Sequence, residues 1–137
     1  MSNKTEVGAL LLRVVLGVVF FAHGTVKFQG GIENIAGWFE SIGLPGALAY
    51  VVATIELVGG IALILGLGTR IVSALLGVIM IGAIITVQLS VGFIGGYAYD
   101  LMLLIVAVYL VMNGSKILSL GQFFFKGQGN NSITKSA

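Results

Sequence analysis

GALAYVVATIELVGGIALILGL, residues 46–67, is the stretch on which the fold turns. It is apolar throughout except for Thr54 and Glu56, and it shows no strand-like alternation. A helix of about 20 such residues crosses a hydrocarbon core of roughly 30 Å. Pro45 stands immediately ahead of it, where a proline suits the first turn of a helix. The glycines at 59 and 60 do not argue against a helix, because glycine is commoner in membrane helices than in soluble ones.

Three more runs of this kind flank it, near Val7–Phe28, Ile71–Gly92 and Tyr99–Leu118. In lipid the backbone must satisfy its own polar groups, so runs of this length are expected as helices. The fold class that follows is an all-α membrane protein, a four-transmembrane-helix bundle. Of the 137 residues 58% are hydrophobic and 9% are charged, whereas a soluble domain carries about a quarter charged residues. So few polar groups could not cover a soluble core of this size. One domain, residues 1–120, is expected, with 121–137, rich in Gly, Asn, Gln, Ser and Lys, as a disordered cytoplasmic tail. The first run has Arg13 inside it, lacks a small-residue cleavage site and is followed by three further spans, so it is read as a retained helix.

The only sizeable connection, Gln29 to Pro45, carries Ile32, Ile35, Ala36, Phe39 and Ile42 at helical spacing, with Glu33, Gly37 and Glu40 opposite. With Trp38 and Phe39 suited to the bilayer boundary, it reads as a short interfacial helix in the first outer loop. Spans two and three are joined by Gly68-Thr69-Arg70, and spans three and four by Phe93-Ile94-Gly95-Gly96-Tyr97. Four spans place Lys4, Arg70, Lys116, Lys126 and Lys135 on one side, and Glu33, Glu40 and Asp100 on the other with Lys27. The positive-inside rule then puts both termini in the cytoplasm of a multi-pass cell-membrane protein.

Several function classes drop out. No cysteine is present, which removes disulfides, thiolate metal sites and iron–sulfur clusters. The net charge of +2 forms no nucleic-acid patch. One histidine cannot supply two axial haem ligands, and no phosphate loop, zinc helix or nucleophile elbow is present. No metal set and no resident cofactor are expected.

The candidate site residues are the polar groups inside the spans, because such groups are costly in lipid and face protein or water. Arg13, Gly17, Phe20, Gly24 and Lys27 share a face of span one, bordered by His23. Ala49, Ala53, Glu56 and Gly60 share one on span two; Gly82, Thr86 and Ser90 align on span three, with Gln88 in its outer half; Asp100 opens span four. Small residues let such faces meet. Matching the spans end to end sets Glu56 between Arg13 and His23, so Arg13 is its expected partner. Lys27, Asp100, Gln88, His23, Tyr97 and Tyr99 are expected in one polar pocket nearer the outside. Each residue also has a plainer reading. Arg13 with Glu56 can be a structural ion pair, His23 a packing residue, Lys27 a snorkelling side chain, Asp100 a helix cap, and Tyr97 and Tyr99 belt residues.

The run from Leu12-Arg13 through Gly17, Phe20 and His23-Gly24-Thr25-Val26-Lys27 resembles the opening span of the DoxX family. So do Gly43-Leu44-Pro45-Gly46, Glu56-Leu57-Val58-Gly59-Gly60, Gly66-Leu67-Gly68-Thr69-Arg70 and Tyr97 through Asp100. The resemblance covers about residues 8–120 and is nearest to the Bacillus-type members that sit beside catechol dioxygenases. It implies a four-helix oxidoreductase component, and it matches recurring family positions to Arg13, His23, Lys27, Glu56 and Asp100. Relatives often carry an acid just before the aspartate, where this chain has Ala98.

The expected function is a redox-linked subunit that handles a quinone or small aromatic. Glu56, Asp100 and His23 would serve proton transfer, and Arg13, Lys27, Gln88, Tyr97 and Tyr99 would bind the ligand. The alternatives are a membrane anchor for a soluble partner enzyme, and a small-molecule transporter. The partners expected are the lipid bilayer, a soluble or membrane oxidoreductase, and further copies of the chain.

Overall fold

A computed structural model describes residues 3–116 and 119–120. Helix α1 runs Asn3–Gln29, α2 Ile32–Ser41, α3 Gly46–Leu65 and α4 Thr69–Ala83. Beyond α4 the same rod continues through a π turn, Ile84–Gln88, into the short α5, Leu89–Val91. A second π turn, Phe93–Tyr97, leads into α6, Ala98–Asn113. Four helical stretches, Asn3–Gln29, Gly46–Leu65, Thr69–Val91 and Phe93–Asn113, are long and apolar enough to cross a membrane. No strand occurs among the described residues. The expected four-helix membrane bundle is the fold observed.

The bundle is built from two pairs. Helices α1 and α3 pack most extensively, then α4 and α6, and α3–α4 and α1–α6 contacts close the ring. Glycine lets the first pair touch backbone to backbone: a Cβ on Gly60 would sit 2.5 Å from the Phe21 amide nitrogen, and one on Gly24 would sit 2.7 Å from that of Leu57. Lipid tails give helices no hydrophobic reason to associate, so close packing of this kind is what holds them together. Between the pairs lies a core of Leu16, Phe20, Leu63, Leu76, Met80, Ala107 and Leu110.

Helix α2 forms where the apolar spacing placed it and packs on α3 and, less, on α1. Ile32 is buried, Ile35 and Phe39 are half-buried, and Glu33, Gly37 and Glu40 are exposed. Two boundaries differ from expectation. The fourth span was expected to reach Leu118, but its helix stops at Asn113, where Gly114 takes φ +68° and Arg70 donates to the Asn113 carbonyl. The Gly-rich connection is also no simple loop, since Ile94, Gly95 and Gly96 leave helical geometry inside the second π turn. Residues 117–118, and the tail at 121–137, lie outside the described residues.

Candidate functional site

The pairing of α1 with α3 fixes which polar groups meet. Gly24 faces Leu57, and Gly17 faces Gly60, so Glu56 lies level with the last turns of α1. Its partner is therefore Lys27 and not Arg13: Lys27 Nζ approaches Glu56 Oε1 at 2.5 Å. The expectation failed because span ends were matched to span ends. In the structure α3 runs past the end of α1, and α2 occupies the difference.

Arg13 lies about 15 Å further along, beside Gly66, ten residues beyond Glu56 at 1.5 Å per residue. It is 1% exposed and donates from Nη1 to Ser115 Oγ at 3.4 Å. Helix α3 ends at Leu65, capped by Gly66, and α6 at Asn113, capped by Gly114, so the guanidinium sits where two helix C-termini converge. The partial negative charge of those ends favours a cation there. Arg13 thereby ties α1 to both helices at that end of the bundle.

A cavity of about 700 Å³ opens at the other end, between the two helix pairs and beside α2. Six of the eight singled-out residues line it: His23, Lys27, Glu56, Gln88, Tyr99 and Asp100. Arg13 does not, and neither does Tyr97, whose ring instead packs edge-on against Phe93 at 5.2 Å. Most of the remaining lining is aliphatic or aromatic. It includes Trp38 and Phe39 of α2, which the sequence reading assigned to the bilayer boundary and not to the site. Their place in the wall follows from α2 packing on α3, the helix that follows it in the chain.

The polar groups are arranged around Glu56. The residue is 2% exposed; Oε1 holds Lys27, and Oε2 is buried without a hydrogen-bond partner. A buried acceptor left this way costs roughly 1–3 kcal/mol. His23 Nδ1 lies 2.7 Å from the Val19 carbonyl, and since a carbonyl only accepts, Nδ1 carries the proton. That leaves Nε2 as the ring atom a ligand can meet. The His23 ring stacks on Tyr99, centroids 6.0 Å apart and planes inclined by 26°. Asp100 lines the same cavity as His23 and Lys27. One lysine thus shares the cavity with two carboxyl groups. Among the described residues no three metal-ligating side chains gather.

The DoxX family model matches residues 8–89. The chain belongs to the DoxX family. This DoxX chain is 47% identical over 134 residues to a Bacillus subtilis protein named "Putative oxidoreductase CatD", covering 98% of this chain and 99% of that one. It is 32% identical over 120 residues to an uncharacterized membrane protein of Mycobacterium tuberculosis, covering 77% and 74% of the two chains. A third relative, the Escherichia coli inner membrane protein YqjF, is 30% identical over 70 residues, 51% of this chain and 53% of that one. No solved structure matches.

Proposed function

We propose that this DoxX-family membrane protein is a redox-linked subunit that binds an oxygen-bearing aromatic ring, a quinone or catechol-like species, in the cavity between its helix pairs. The observation that carries the reading is Glu56, a lining residue of an otherwise largely apolar cavity whose buried Oε2 has no hydrogen-bond partner. A cavity of about 700 Å³ falls in the usual ligand-site range of roughly 300–1,000 Å³, and apolar walls with a few convergent polar groups are the usual lining. Aromatic side chains suit a planar ligand, and Glu56, Asp100, Lys27 and His23 suit its oxygens.

Reduction of a quinone to its hydroquinone takes two electrons and two protons. In this reading Glu56 and Asp100 pass the protons, and Lys27 and His23 orient the ring oxygens. The electrons come from a partner oxidoreductase; the Bacillus subtilis relative is itself named a putative oxidoreductase. Gln88 and Tyr99 complete the polar rim.

The test is mass spectrometry of small molecules extracted from purified protein, wild type against Glu56→Gln. Trp38, the single tryptophan, lines the cavity, so quenching of its fluorescence by an added quinone reports binding directly. The expected result is a stoichiometric aromatic bound to wild type and lost, with its quenching, from the variant. Empty protein and no saturable quenching in either would overturn the reading and turn the search to a scaffold role.

A further inference from the structure

The cavity has a side to it that the polar cluster does not explain. Val78, Gly82 and Thr86 on the α4 rod are spaced by four and so share one face. All three line the cavity and all three are exposed, Val78 by 67%, and a Cβ on Gly82 would meet no atom within 4 Å. Leu48 and Val52 of α3 line the same side. None of the five is ionisable. Val78 and Gly82 straddle the midpoint of the membrane-spanning stretch Thr69–Val91, so this gap opens at the depth of the lipid chains and not at a water-facing end.

We propose that the ligand enters sideways from the bilayer between α3 and α4, and that it carries a hydrocarbon tail that remains in this mouth. The proposal rests on the ligand site described above and adds what kind of ligand fits it. A single ring with two oxygens has about eight heavy atoms, whereas a 700 Å³ space holds on the order of 20 water-sized groups at about 30 Å³ each. An apolar void left unfilled forfeits the dispersion contacts of its walls. A tail running outward past Gly82 fills that space with the chemistry its lining presents, while the ring stays at Glu56. A tail-less, water-soluble ring would gain nothing from an entrance in hydrocarbon.

The experiment compares two quinones in phosphatidylcholine nanodiscs, one ring bearing a decyl chain and the same ring without it. Each is titrated by mole fraction in the lipid and read by Trp38 quenching. The mouth is narrowed with Gly82→Leu, a change the fold accommodates because a Cβ there meets no atom within 4 Å. The control is Ile81→Phe, which adds bulk to the neighbouring lipid-exposed position outside the cavity lining. The expected result is that Gly82→Leu weakens the decyl ring at least fivefold, leaves the short ring within twofold, and Ile81→Phe changes neither. Equal weakening of both rings, or of neither, would overturn the route. Binding of the short ring to wild type without the decyl ring would overturn it too, while leaving the aromatic site standing. If neither ring binds wild type, the site itself falls, and this route with it.

Discussion

Replacing Lys27 by methionine removes the cation that the structure places on Glu56. At 2.5 Å and an effective dielectric of about 20, the direct attraction is about 7 kcal/mol. Much of that is offset by the cost of taking both charges out of water, and the Lys27 side chain is still 26% exposed. What the substitution adds is a buried carboxylate with neither oxygen paired, for which losses of about 3–5 kcal/mol are usual. The expected destabilisation of Lys27→Met is therefore about 3–5 kcal/mol. Glu56→Gln should cost less, about 1–2 kcal/mol, because the orphaned lysine is long and already reaches the edge of the cavity. The double variant, with no charge left, should recover to within about 1 kcal/mol of Glu56→Gln. Reversible unfolding in mixed micelles, followed by circular dichroism, measures all three. The reasoning is refuted if Lys27→Met lies within 1 kcal/mol of wild type, or if adding Glu56→Gln restores nothing.

Two further outcomes follow from geometry already described. Gly60→Ala forces a Cβ into the backbone of α1 at Phe21 and should cost about 2–3 kcal/mol, whereas Gly8→Ala, with nothing within 4 Å, should be neutral or slightly stabilising in the same unfolding assay. Because the chain has no cysteine, single cysteines report its orientation. A membrane-impermeant maleimide should label Asn34→Cys in intact cells and Lys4→Cys only after permeabilisation, and the reverse pattern would invert the topology read from the basic residues.

The spans were legible because composition alone decides them: few soluble structures could hide 46–67, and the other three runs repeat its character. The membership of the cavity was legible in large part, since stripes of small residues mark the faces that meet, and His23, Glu56 and Asp100 lie on or beside them. Pairing within the site was not. Whether Glu56 meets Arg13 or Lys27 depends on how far α3 slides along α1, and that is set by a few glycine contacts and by the room α2 occupies. A shift of about 15 Å, nearly three turns, is what separates one pairing from the other. The role of α2 was hidden for a related reason. Trp38 and Phe39 look the same in sequence whether they face headgroups or a cavity. The π turn at Ile84–Gln88 has no residue signature at all, since IITVQ would suit an ordinary helix.

The division into two helix pairs has a mechanical consequence. The cavity is not hollowed out of either pair but lies along the seam where they part, between α1–α3 on one side and α4–α6 on the other. Within α1–α3 the glycine contacts bring the two backbones together, so the separation between the pairs, and not the packing inside α1–α3, sets the width of the cavity.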